Sequence, residues 1–152
     1  KSKLLGHKPK IILAGRAVND NMSKYVADNI KIKLNKINSK IKKILILGCT
    51  FKENCPDIRN SKIFDLYNFL VRDNKVSIYD PIADKKEVYM HYKVNLINKI
   101  KKNHYDIIIL AVSHYEFQKK KYKNLKKIYG KKNSYLFDLK FFYKKNLSDF
   151  RL

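Results

Sequence analysis

Ile44–Lys62 reads ILILGCTFKENCPDIRNSK, an apolar run that stops at a single glycine and gives way to a polar, proline-containing segment. Ile44–Leu47 has the composition of a buried strand, and Lys43–Cys49 is the predicted span. In a dinucleotide-binding fold the turn after the first strand carries three glycines, so that backbone can approach a pyrophosphate. Here only Gly48 is present, and the next glycine in the chain is Gly130. A dinucleotide cradled by backbone is therefore not expected at this turn. Pro56 disfavours helix at Cys55 and delays the next helix toward Ser61, leaving a loop of about ten residues, longer than such turns normally are. Such a loop presents side chains, here Phe51, Lys52, Asp57 and Arg59. Lysine neutralises phosphate, arginine clamps it, and phenylalanine stacks on or walls a base. The same residues also fit an ordinary solvated loop with one buried aromatic.

Working outward, strand-like runs alternate with helical patterns. Lys75–Tyr79, Lys93–Leu96, Asp106–Val112 and Ser134–Asp138 are the remaining strand candidates. Ile63, Leu66, Tyr67 and Leu70 share a helix face, with Asn60 or Ser61 as cap. Asp80–Pro81 marks a turn. Asp106–Val112 is almost wholly apolar, as befits a central parallel strand covered on both faces. Tyr115–Tyr129 is compatible with a helix that stops at Gly130. This alternation predicts an α/β fold, a Rossmann-like doubly wound parallel sheet with ligands at the carboxyl ends of its strands.

Upstream, residues 1–40 form a separate helical region. An apolar strip, Ile11–Ala14, precedes Asn19 and Asp20, either able to cap a helix. Met22, Val26, Ile30 and Leu34 then fall on one stripe of a long amphipathic helix. Its basic continuation, KIKLNKINSKIKK (Lys31–Lys43), contains no Pro or Gly to break it. A helix of this kind requires a surface to lie against, in its own domain, another domain or a second subunit.

Composition bounds the function. The chain has 152 residues, 45% hydrophobic, with a formal net charge of +22. Only Arg16, Arg59, Arg72 and Arg151 among the 35 basic residues are arginine, and the lysines are spread evenly. Specific nucleic-acid readers exploit arginine's fork and its stacking. A uniform Lys/Asn/Ile excess is instead what an AT-rich coding sequence leaves on solvated surfaces. No specific nucleic-acid partner is expected. No stretch approaches the roughly 20 apolar residues of a membrane span, and no signal peptide is visible. Cys49 and Cys55 are too few for a disulfide framework and have no zinc-ligand companions. The cytoplasm is the expected compartment. The chain does not begin with Met, which points to a fragment or processed product.

ILGCTFKENCPDIRNSK (Ile46–Lys62) resembles the opening of the UDP-binding domain in the UDP-glucose/GDP-mannose dehydrogenase family. It is most similar to the branch oxidising UDP-N-acetylhexosamines for surface polysaccharide synthesis. IILAGRAVNDNMSKYVA (Ile11–Ala27) resembles the start of the helix joining the central and carboxyl-terminal domains. VSIYDPIAD (Val76–Asp84), YDIIILAVSHYEF (Tyr105–Phe117), FDLK (Phe137–Lys140) and FRL (Phe150–Leu152) match the rest in order.

The resemblance implies that residues 1–40 end a central dimerisation region and 41–152 form a UDP-sugar-binding domain. It also implies an NAD-dependent 6-dehydrogenase acting through a covalent cysteine intermediate, with NAD held mainly by an amino-terminal domain. Neither the glycine-rich fingerprint nor the nucleophile's motif occurs in these residues, so no catalytic residue and no dehydrogenase activity is expected of this chain. Phe51 and Lys52 resemble the pair that contacts UDP. Lys140 stands where a basic residue helps hold the nucleotide sugar, and Arg16 resembles a residue near the sugar. Arg59 resembles the arginine reaching toward the cofactor, although it can instead pair with Asp57 or Asp65. His114 is expected at the ligand edge in a structural or solvated role. A homodimer through the amino-terminal helix is implied. The rival expectations are a decayed or regulatory fragment and a basic nucleic-acid-binding module.

Overall fold

The computed structural model describes residues 10–119 and 122–151, apart from the side chains of residues 11, 12, 16, 17, 19 and 20. Helix α1 (Lys10–Leu34) leads into strand β1 (Lys43–Leu47), α2 (Ile63–Leu70), β2 (Lys75–Tyr79) and α3 (Lys85–Tyr92). Strand β3 (Tyr105–Leu110), the short α4 (Leu125–Tyr129), β4 (Gly130–Asp138) and β5 (Phe150–Arg151) complete it. The five strands form one parallel sheet in the order β2-β1-β3-β4-β5.

Strand side chains alternate between faces, and this divides the core. Ile44, Ile46, Ile107, Ile109 and Phe137 pack toward one layer, with Ile30, Leu34, Phe64 and Leu70 of α1 and α2. Leu45, Leu47, Ile108, Leu110 and Leu136 face the other, against Phe117, Tyr122 and Leu125. Every residue of β3 is buried, each large aliphatic contributing about 1.5–3 kcal/mol on burial. An uninterrupted apolar run is what a central strand covered on both sides requires.

Several boundaries differ from those expected. Helix α1 spans Lys10–Leu34 and so runs through Asn19 and Asp20, neither of which opens it. It stops at Leu34, and the basic continuation turns away so that Ile37 can pack against the core. Val26, Ala27, Ile30 and Leu34 are buried, but Met22 is 37% exposed, so among the described side chains the apolar stripe meets the core along the second half of the helix. Neither Asn60 nor Ser61 occupies the cap position of α2, which falls to Lys62. Asn60 is left-handed (φ 58°), whereas the Ser61 hydroxyl accepts from Ile63 N at 3.4 Å.

Lys93–Leu96 is not a strand. Lys93 closes α3 in a left-handed conformation, and only Leu96 bridges to Ile78. The region Tyr115–Tyr129 holds a 3₁₀ turn (Tyr115–Gln118) and the five-residue α4 rather than one long helix. Gly130 is not a left-handed cap: its φ is −78°, and it opens β4. Glycine is needed there for space, since a Cβ would lie 2.0 Å from Ser134 Oγ and 2.7 Å from Lys126 O. Helix α3, not foreseen in the sequence, is capped by Asp84, whose carboxylate accepts from Lys86 N and Glu87 N at 2.8 and 2.9 Å.

Candidate functional site

Strand order places β2 on one side of β1 and β3 on the other, so the chains leaving β1 and β3 diverge at the point where ligands settle in open α/β sheets. The chain leaving β1 turns at Gly48, whose φ of 85° and contact with Val112 leave no room for a side chain. Four backbone amides of this turn are already engaged. Gly48 N donates to Tyr79 O at 2.9 Å, and Phe51 N to Asp57 O at 2.7 Å. Cys49 N donates to Asp80 Oδ2 at 2.6 Å, and Asn54 N to His114 Nδ1 at 2.9 Å. These four groups are not free to cradle the pyrophosphate of a dinucleotide, which does not fit this turn by the usual backbone route.

What the loop offers instead is side chains. Phe51 is 58% exposed, unlike the buried aromatic of the solvated-loop alternative. Lys52 is exposed beside it. Its ammonium makes no ion pair among the described residues. The loop base is held by the Ser61 hydroxyl on Thr50 O (3.5 Å) and by the Tyr92 hydroxyl on Ile58 O (2.9 Å). Arg59 forms a two-pronged pair with Asp57, both contacts at 2.9 Å, in the open. That hydrogen bond holds the Asp57 carboxyl down at about 2 and raises the guanidinium further.

Behind the loop lies a buried polar pair that sequence reading did not assemble. Asp80, at the end of β2, accepts from Cys49 N, from Ile82 N at 2.8 Å and from Ala83 N at 2.9 Å. His114, after β3, directs Nε2 at Asp80 Oδ2 at 3.1 Å, with both side chains fully buried. Burial alone would raise the Asp80 carboxyl, but the bonds from His114 and the three amides outweigh it and hold it far below the usual range. Because Asn54 N–H donates to Nδ1, the ring proton belongs on Nε2, an assignment drawn from the hydrogen-bond network. The Asp80–Pro81 turn was legible in sequence; nothing local linked it to a histidine 34 residues on.

The cysteines divide clearly. Cys49 is fully buried, and burial, reinforced by Asp80, pushes its thiol far up, so it is no thiolate nucleophile. Cys55 is half-buried on the loop. Among the described residues no group of histidines, cysteines and carboxylates could hold a metal ion.

Lys140 sits beyond β4, on the same edge of the sheet as the loop. The buried Asp138 carboxylate accepts from Lys140, Phe142 and Tyr143 N at 3.2, 3.1 and 2.8 Å, folding this segment back on itself. Lys140 lines a cavity of about 140 Å³ with Met22, Ser23, Lys62 and Leu139, and a wider one of about 560 Å³ with Phe117, Phe141 and Tyr143. Neither is lined by Phe51, Lys52 or Arg59, which share the β1 loop. Arg16 belongs to α1, but its side chain lies outside the described residues. Two larger concavities, of about 730 and 750 Å³, lie at the opposite end of β4, around Lys131 and Ser134.

Comparison with known proteins supplies the family. The UDP binding domain of the UDP-glucose/GDP-mannose dehydrogenase family matches residues 45–146. A UDP-N-acetyl-D-glucosamine 6-dehydrogenase of Salmonella typhi is 44% identical across all of this chain, which spans 36% of that protein. One from Pseudomonas aeruginosa is 38% identical over the same shares. The solved structure of the UDP-N-acetyl-mannosamine dehydrogenase Cap5O from Staphylococcus aureus superposes with a TM-score of 0.71 at 26% identity, covering 93% of this chain and 32% of that one. The chain thus spans about a third of the relatives it matches. Parallel sheet, glycine-poor loop and family match agree: the chain belongs to the UDP-glucose/GDP-mannose dehydrogenase family, and residues 45–146 are its UDP-binding domain.

Proposed function

We propose that this chain is the nucleotide-sugar-binding part of an NAD-dependent UDP-N-acetylhexosamine 6-dehydrogenase making UDP-uronic acids for polysaccharide biosynthesis in the cytoplasm. The observation that carries this reading is the loop after β1. Its backbone amides at Gly48, Cys49, Phe51 and Asn54 are spent internally, while Phe51 and Lys52 stand exposed at the sheet's switch point. Lys52 neutralises the diphosphate and Phe51 walls the uracil. Lys140 and Arg16 hold the sugar side. Arg59 faces NAD, which is held mainly by residues outside these 152. The oxidation requires a nucleophile that neither Cys49 nor Cys55 supplies. Residues 1–40 end a central region through which two copies pair, and 41–152 form the UDP-sugar domain.

Calorimetry with UDP tests the reading. Lys52→Ala should weaken UDP binding about tenfold, the loss of one charge-assisted contact of roughly 1.5 kcal/mol. An unchanged affinity in a folded Lys52→Ala protein would remove the diphosphate from this loop. The 152 residues alone should reduce no NAD with any UDP-sugar, and measurable reduction would refute the assignment of the chemistry elsewhere.

A further inference from the structure

We infer that His114, oriented by Asp80, is a positioning residue that sets the Phe51–Lys52 segment for the nucleotide diphosphate. The inference rests on the site reading above and goes beyond it, because His114 need not touch ligand. One imidazole reaches both ends of a short exposed arch. At one end Nε2 lies 3.3 Å from Thr50 Oγ1; at the other Nδ1 accepts from Asn54 N at 2.9 Å. Phe51, Lys52 and Glu53 lie between, all exposed.

Further contacts brace the same arch. The Thr50 hydroxyl donates to Lys52 O at 2.9 Å, and Asn54 Oδ1 accepts from Tyr115 N at 2.8 Å. Asn54 itself is left-handed (φ 56°), a conformation that needs such support. The ring is held in turn by Asp80 at 3.1 Å and by packing against Phe117, with ring centroids 5.7 Å apart. Asp80 is anchored by three backbone amides, so a rigid chain of contacts runs from the end of β2 through the imidazole to the arch. A lysine on an arch pinned at both ends meets a diphosphate without first being ordered, which is how preorganisation raises affinity.

The test uses the complete gene product, with UDP affinity from calorimetry and amide exchange by NMR or mass spectrometry. His114→Phe keeps a buried ring and removes the contacts to Thr50 and Asn54 together with the one to Asp80. It should weaken UDP about tenfold and speed exchange at Asn54 and its neighbours, while β1 and β3 amides stay protected. His114→Gln, which can restore one bond, should recover part of the affinity. Combined with Lys52→Ala, His114→Phe should add little further loss, because both remove the same contact. If Lys52→Ala weakens binding and a folded His114→Phe does not, the positioning role is overturned. If Lys52→Ala changes nothing, or the wild type binds no UDP, the site reading fails instead; unaltered Asn54 exchange in His114→Phe still overturns the pinning. Should His114→Phe lose sheet protection, His114→Gln decides, and wild-type affinity together with wild-type Asn54 exchange in that variant overturns the inference.

Discussion

Gly48 and Val112 approach so closely that a Cβ built on the glycine falls 2.5 Å from Val112 Cβ and 2.9 Å from its backbone nitrogen and oxygen. The exits of β1 and β3 therefore touch with nothing between them. Gly48→Ala would meet this contact and a φ of 85° together. Backbone strain and overpacking each cost about 1–3 kcal/mol, so urea unfolding should show a loss of about 2–6 kcal/mol. A change below about 1 kcal/mol would mean that the two strand ends part easily.

Asp80 makes stability pH-dependent. Its carboxyl is depressed in the folded chain, so its contribution is complete above the unfolded value of about 4 and is lost as pH falls further. Asp80→Asn should be less stable than wild type at neutral pH, and the difference should shrink on acidification below about pH 4. Unfolding curves at several pH values check this; a gap that stays constant would show that Asp80 bears no special load.

The two thiols should react in sequence. Cys55 is half-buried on the loop, whereas Cys49 is fully buried with its thiol pushed far up. A disulfide reagent at mild alkaline pH should modify Cys55 in the native protein and Cys49 only with unfolding. Cys55→Ser should abolish the early phase, and an early phase surviving that change would contradict the burial of Cys49.

Arg59 should matter for cofactor rather than for folding. Its side chain is 80% exposed beside Asp57, and exposed pairs add little stability. Arg59→Ala should leave the melting temperature unchanged within error. In the complete gene product it should raise KM for NAD several-fold and leave UDP affinity intact. The reverse pattern would reassign Arg59 to the nucleotide sugar.

The first half of α1 leaves Leu13, Val18 and Met22 exposed, Val18 by 63%. Val18→Glu should shift sedimentation from dimer toward monomer if this face pairs with a second copy. An unchanged sedimentation coefficient would place the subunit contact elsewhere. Among the described residues no helix is long and apolar enough to cross a membrane, so a lipid-spanning role does not explain this exposure.

The central strand, the parallel α/β class and the character of the β1 loop are legible in the amino-acid sequence alone. Each is a local property: an apolar run marks burial on both faces, and one glycine followed by Pro56 leaves a loop that presents side chains. The sequence also holds the signal for α3, Asp84 three residues before Glu87. Tertiary packing instead carried α1 through the capping candidates Asn19 and Asp20 to Leu34, with Val26, Ile30 and Leu34 seated against the sheet. It also decided that Gly130, which does close α4, is required for close packing rather than for a left-handed turn. Above all it decided the pairing of Asp80 with His114 and of His114 with Asn54. These partners lie 34 and 60 residues apart, and no local pattern joins them. They meet because β1 lies between β2 and β3, which brings three strand ends to one edge of the sheet.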